Sequence, residues 1–167
     1  MTLAIRQIGP RDAGAYRTIR LAALAGDPAS FASDAELEQT RPLDWYETSA
    51  ARNAILIAFE DTVPVGMAGL VRSDRQKTRH IGAVFGVYVA PSHRRTGVAT
   101  GLMDAIIATA RPPILQLHLG VAANNLAALA LYHRLGFTTY GTQPRALHVE
   151  GRFIDEHLMV RFLDKEF

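Results

Sequence analysis

The 167-residue chain contains no cysteine, which removes thiol catalysis, disulfide exchange, iron–sulfur clusters and Cys-based zinc sites. Lysine is almost as scarce: of the 18 basic residues only Lys77 and Lys165 are lysines. Arginine forks suit anionic ligands, although a genome's codon bias produces the same preference. No apolar run approaches the about 18 residues of a membrane span. Met1 to Pro10 also lacks the charged-then-apolar layout of a signal peptide, so a cytoplasmic protein without membrane attachment is expected. Internal repeats and low-complexity tracts are missing, which leaves solenoid and tailed architectures unsupported. Charge is nearly balanced, 18 basic against 16 acidic residues for a net +2, too little to build a strong field of one sign.

What is present fits one domain over residues 1–167, since domains run to about 100–200 residues. With 49% hydrophobic residues, a chain of this size buries roughly 70% of its unfolded surface and needs no staple. Thr2 to Ile8 alternates as a strand, and Arg11 to Ala25 has apolar residues at helical spacing. Ser33 with Glu36 has the form of a capping box opening a second helix toward Ala51, with a break at Pro42. Ala54 to Glu60, Val63 to Val71 and Arg79 to Val89 are strands, the first two joined by an Asp61-Thr62 hairpin turn. Thr96 to Ala110 is a helix, Ile114 to Val121 a strand, and Asn125 to Leu135 a helix ended by Gly136. Phe137 to Val149 and Phe153 to Phe162 complete the order. The expected fold class is α/β in its α+β form: a mixed central sheet of about seven strands flanked by about four helices. The strand, helix, strand crossover implies one parallel pair.

The most informative stretch is Val87-Tyr88-Val89-Ala90-Pro91-Ser92-His93-Arg94-Arg95-Thr96-Gly97-Val98-Ala99-Thr100. A strand delivers the chain to a short basic loop that opens directly into a helix. The first turn of a helix has four backbone N–H groups without internal partners and about half a positive charge, so it favours an anion. Gly97 and Ala99 let a large anionic group approach the backbone, and Arg94 and Arg95 add charge where a diphosphate would lie. Alternatively Gly97 only eases a tight turn. The loop is not a Walker loop, which needs an earlier Gly and a Lys-Ser/Thr pair, and the Rossmann triple-glycine fingerprint is missing.

Arg94-Arg95-Thr96-Gly97-Val98-Ala99 resembles the Arg/Gln-x-x-Gly-x-Gly/Ala loop of the GNAT superfamily, the Gcn5-related N-acetyltransferases. Val87 to Pro91 is similar to that family's lead-in strand. Downstream, Asn125-x-x-Ala128-x-x-x-Tyr132 running into Leu135-Gly136-Phe137 resembles its second cofactor motif, at the family's distance and with a strand between. The resemblance implies acetyl-CoA as co-substrate, without a metal, lying where the parallel strands splay near Val89 and Val121. It implies pyrophosphate contacts from the Arg94, Arg95, Thr96, Gly97, Val98, Ala99 and Thr100 segment. Thioester and pantetheine contacts follow from Val87, Tyr88 and Val89, with further contacts from Asn125 and Tyr132.

Acetyl transfer to an amine needs a neutral nitrogen, a donor for the thioester oxygen and a proton for the leaving thiolate. A backbone N–H near Val89 supplies the second by resemblance, and Tyr132 matches the family tyrosine beside the sulfur, a general acid whose alternative role is packing. Family members often carry a carboxylate base on the strand before the loop, yet Ile81 to Val89 has no Asp or Glu. The candidates are His118, Tyr88, His80, Glu36 and Asp155 or Glu156, or an amine already partly neutral that needs none. Asp27, Asp34, Glu36, Glu38, Asp44 and Glu47 make an acidic segment that would attract a cationic acceptor or be merely solvated; Arg72 to Arg95 inverts the balance. Trp45, Tyr46 and Phe31 either line an acceptor pocket or anchor helices, and Arg145, His148 and Arg152 lie near the final hairpin. The expected activity is transfer to the primary amine of a small molecule or protein by direct attack, since no residue set suggests a covalent intermediate. Family members are often homodimers. A non-catalytic acyl-CoA-binding module is the rival reading, and nucleic-acid binding is not expected, because the Arg72 to Arg95 stretch lacks interleaved aromatics.

Overall fold

The computed structural model describes residues 1–164. Seven strands form one sheet: β1 (Leu3–Gln7), β2 (Ala54–Glu60), β3 (Val63–Arg72), β4 (Ile81–Val89), β5 (Gln116–Ala122), β6 (Thr138–Val149) and β7 (Arg152–Phe162). Their spatial order is β1-β2-β3-β4-β5-β7-β6, and every pairing is antiparallel except β4 with β5. Five α-helices cover it: α1 (Ala13–Gly26), α2 (Ala35–Gln39), α3 (Leu43–Arg52), α4 (Val98–Thr109) and α5 (Leu126–Arg134).

Ala54 to Phe59 is buried at every position, because β2 has helices on both sides. Strand alternation then sorts its residues into two cores. Ala54, Leu56 and Ala58 join Val98, Leu102 and Ile106 of α4, with Leu131 and Tyr132 of α5 in the same cluster. Ile55, Ile57 and Phe59 join Tyr16 and Ile19 of α1 and Tyr46 of α3 on the opposite face. That second core draws its buried residues from β2, β3 and β4 and none from β5, β6 or β7, so the α1–α3 helices cover only half of their face of the sheet.

The helices depart from the sequence expectation in one region. The helix expected from Ser33 toward Ala51, with a break at Pro42, is two helices separated by Thr40, Arg41 and Pro42, so the described residues hold five α-helices where about four were expected. Pro42 disfavours helical geometry in the residue before it and itself starts the next helix as N-cap. The Ser33–Glu36 capping box does not form: Asp34 occupies the N-cap, and the Ser33 hydroxyl accepts a hydrogen bond from Arg20 Nη2 at 3.0 Å. Elsewhere the shifts are small. α1 begins at Ala13 after a 3-10 turn at Pro10–Asp12, β4 begins at Ile81 rather than Arg79, and α4 begins at Val98 rather than Thr96.

Glu38 accounts for the largest departure in chemistry. It is 2% exposed and forms an ion pair with the 7% exposed Arg20, with Nη2 to Oε1 at 3.0 Å and Nε within hydrogen-bond distance of both carboxylate oxygens. It therefore tethers α2 to α1 and contributes no charge to an acidic surface.

Candidate active site

β4 and β5 are hydrogen-bonded only where Ile81–Ala83 lie beside Gln116–His118. Beyond those three pairs the strands diverge, so the β4 and β5 edges that face each other lose their partner strand. Backbone groups in that position need a partner from elsewhere. β4 also carries a bulge against β3: Met67 opposes Tyr88 and Gly69 opposes Phe85, leaving Gly86 and Val87 opposite Ala68 alone. Gly86 takes φ of +64°, which lets the strand turn there without the strain of a side chain. The two strands open into a cleft of about 760 Å³. Val84 to Val89 line one wall, Leu119 to Ala122 the other, with α5 residues including Asn125, Tyr132 and Arg134 and the α1–α2 connection at Asp27, Ser30 and Phe31 completing it.

The start of α4 reaches the same cleft. Arg95 has φ of +60° and Gly97, the N-cap, φ of +90°, so two left-handed residues fold the loop back and present the first N–H groups of the helix. A Cβ built on Gly97 would meet nothing within 4 Å, so the space above the helix start is open. Arg94, Arg95, Gly97, Ala99 and Thr100 line the cleft. Arg94 has a second engagement: its Nε donates to the Val89 carbonyl at 3.0 Å and its guanidinium lies 5.9 Å from the centre of the Tyr88 ring. His93 is held by Glu60 at 3.2 Å and by the Ser92 hydroxyl at 2.8 Å, which braces the loop against the end of β2.

Two residues named from the sequence turn their side chains away. Val98 is 2% exposed in the core, and the Thr96 hydroxyl donates to the His93 carbonyl. Only their backbone is available to a ligand at the helix start. Val87, Tyr88 and Val89 lie on the β4 wall. Asn125 caps α5, its Oδ1 accepting from the Ala128 N–H at 3.2 Å, which leaves the Nδ2 donor for the cleft. Tyr132 is 6% exposed and packs edge-on against Phe137 at 5.9 Å, so the packing role and the cleft position coexist. Burial pushes its hydroxyl well above the ordinary tyrosine range. It therefore keeps its proton throughout the neutral pH range.

The remaining candidates separate clearly. His118 is bonded through one ring nitrogen to the Gln116 amide at 2.7 Å and through the other to the Tyr140 hydroxyl at 3.2 Å, and it is not among the cleft-lining residues. Burial, and then His80, lower its pKa. Glu36 is exposed on α2, Asp155 accepts the Arg145 N–H at 2.8 Å, and His80 lies in the β3–β4 loop. Tyr46 is fully buried and Trp45 packs edge-on against it at 4.9 Å, so both anchor helices, whereas Phe31 does line the cleft. Arg72, Arg75, Lys77 and Arg79 lie off the cleft that Arg94 and Arg95 line. Arg134 and Gly120 were missed in the sequence, and Asp27 stood there only as one member of the acidic segment. Arg134 carried a signal, as a cation two residues beyond Tyr132 on the motif helix, but the other two reach the cleft only through the tertiary fold.

A family model described as the acetyltransferase (GNAT) family matches residues 20–137. An uncharacterized N-acetyltransferase of Mycobacterium tuberculosis is 32% identical over 153 residues, covering 89% of this chain and 93% of that one. An L-amino acid N-acetyltransferase of Escherichia coli is 26% identical over 163 residues, covering 95% and 97%. A Salmonella typhimurium protein solved with its cofactor acetyl-CoA superposes with a TM-score of 0.81 at 25% identity, over 100% of this chain and 97% of that one.

Proposed function

The chain belongs to the GNAT family of acetyltransferases, and from that premise we propose that it moves the acetyl group of acetyl-CoA onto the primary amine of a small, L-amino-acid-like acceptor by direct attack. The observation that carries this reading is the parting of β4 from β5 into a cleft that also receives the start of α4 and Tyr132. A cleft of about 760 Å³ has the size and the cationic end that an acyl-CoA needs. The E. coli relative's L-amino acid acceptor supports the acceptor class, as does Asp27, a half-buried carboxylate on the cleft wall that suits an ammonium group.

In this reading the N–H groups of residues 95–100 and the Arg95 guanidinium hold the pyrophosphate, an anion at a helix N-terminus. The unpaired edge of Val84–Val89 hydrogen-bonds the pantetheine amides as a neighbouring strand would, and a backbone N–H near Val89 meets the thioester oxygen as charge gathers there. Tyr132 faces the departing sulfur. An ordinary thiol titrates near about 8.5, below the raised Tyr132, so its donation is chiefly a strong hydrogen bond to the developing thiolate. The chain's own groups thus bind, orient and supply one proton donor.

The test is a thiol-release assay with acetyl-CoA and a panel of L-amino acids, polyamines and peptides. The L-amino acids should be the active class. Tyr132→Phe should lower kcat about 10²-fold while leaving the acetyl-CoA KM near its original value. Tight acetyl-CoA binding with no thiol release for any amine would overturn the reading in favour of a binding module.

A further inference from the structure

We infer that Glu156, on β7, is the base that takes the proton from the acceptor's ammonium, an inference that rests on the acetyl-transfer reading above. An aliphatic amine titrates near about 10, so at neutral pH the acceptor arrives charged and must lose a proton before its nitrogen can attack. β4 has no Asp or Glu over Ile81–Val89 to receive it. Of the carboxylates considered, Glu38 is committed to Arg20, Asp155 to the Arg145 N–H, and Glu36 lies exposed on α2.

Glu156 is different. Glu156 is not itself a lining residue of the cleft, but its Oε2 stands 2.9 Å from the point where a Cβ on Gly120 would be, and Gly120 forms part of the cleft wall in the splayed half of β5. Only a glycine leaves that space, so β5 admits the carboxylate where any side chain would push it out. Glu156 is partly buried, and among the described residues no hydrogen bond or ion pair engages its carboxylate. Its backbone sits between two strands, opposite Ala122 on β5 and Gln143 on β6, which fixes the side chain's origin as a loop would not. α1 to α3 stop short of β5 and β7, and only the Pro28–Ser30 turn lies against β5 and β6, so the exposed Gly120 leaves an acceptor a path to the carboxylate.

The titratable groups on the surrounding elements are His118 on β5, Tyr140, Arg145 and His148 on β6, Arg152, Asp155, His157 and Arg161 on β7, and Asp27 on the α1–α2 connection; His148 stacks on Phe153 and Arg161 donates to the Leu135 carbonyl. His118 and Tyr140 bond each other, Asp155 bonds the Arg145 backbone, and His157 bonds Thr142 at 2.8 Å. Asp27 is the other carboxylate there without a hydrogen-bond or ion-pair partner among the described residues, and Asp155, exposed and held by the Arg145 N–H, is the natural control.

Glu156 takes one proton from the ammonium. The freed nitrogen pair forms the bond to the acetyl carbon as the carbon–sulfur bond breaks, and its electrons leave on sulfur. A second proton from nitrogen neutralises the thiolate by way of Tyr132 or solvent, the third stays on the amide, and Glu156 releases its proton to water.

The experiment compares the native protein with Glu156→Gln in the thiol-release assay, using the most active L-amino acid of the panel from pH 6.5 to 10. The expected result is a fall in kcat/KM of about 10²-fold at pH 7 that shrinks to within about threefold at pH 10, where solution chemistry supplies the neutral amine. Acetyl-CoA binding by titration should be unchanged, and Asp155→Asn should lack this pH signature. Gly120→Ala should slow the native protein by displacing the carboxylate but cost little more in the Glu156→Gln background. Should Glu156→Gln fail to bind acetyl-CoA, Glu156→Asp carries the same test, with an intermediate loss that again shrinks at high pH. A pH-independent loss, full activity at pH 7, or an equal Gly120→Ala cost in both backgrounds would overturn the assignment while leaving acetyl transfer intact. A native protein inert toward every amine would instead overturn the reading beneath it.

Discussion

The half of the sheet from β1 to β4 and the seam between β4 and β5 are built to opposite rules. In the first half the strands pair along their lengths, Ala54 to Phe59 are buried on both faces, and the buried cation Arg20 has its anion Glu38 beside it. At the seam three residue pairs hold and then the strands part, Gly86 and Arg95 adopt left-handed geometry, and Tyr132 and Glu156 have no bonded partner for their polar ends among the described residues. Groups left unsatisfied beside a cleft are groups a ligand can satisfy. In the proposed reading the well-paired half holds the seam in place, and the seam does the chemistry.

The largest effect should come from breaking the paired half. Glu38→Ala strands the buried Arg20 guanidinium and should cost about 3–5 kcal/mol in urea unfolding, where Glu36→Ala on the same helix should cost next to nothing. Next is Tyr132→Phe, with its loss of about 10²-fold in kcat and an unfolding midpoint hardly moved, since the ring packing on Phe137 survives. Arg95→Ala should raise the acetyl-CoA KM about tenfold at low salt with kcat nearly constant, and the difference should narrow as salt is added. His118→Asn gives the smallest change. The folded His118 has a lowered pKa, so its contribution is complete above the ordinary histidine range and lost as pH falls through it. Unfolding free energy measured from pH 7.5 to 5 should therefore lose a little of its slope in the variant, with kcat/KM unaltered at neutral pH.

The Arg94 to Ala99 loop was legible in the sequence as a strand, a tight basic turn and a helix start, and its expected role, like that of the Asn125 to Tyr132 phrase, came from resemblance to the GNAT motifs. The seven strands followed from apolar runs and turns in the same way, and the parallel pair from the length of the crossover. The break at Pro42 was legible but its consequence, two helices instead of one, was not, since Arg20 rather than a capping box organises α2. Glu38 looked like one member of a solvated acidic run because burial against a residue 18 positions away leaves no local mark. Gly120 and Glu156 lie far apart in the chain and meet only through strand order β5-β7. Asp155 and Glu156 could not be told apart in the sequence, since neighbours on a strand face opposite ways and only the sheet decides which faces the site.

Amide hydrogen exchange with and without acetyl-CoA tests whether the parted β4–β5 seam is the acetyl-CoA site. Protection should rise at residues 84–89 and 95–100, where the strand edge and helix start gain partners, and stay constant through β2 and the body of β3. Protection gained elsewhere, with residues 84–89 and 95–100 exchanging as before, would contradict it.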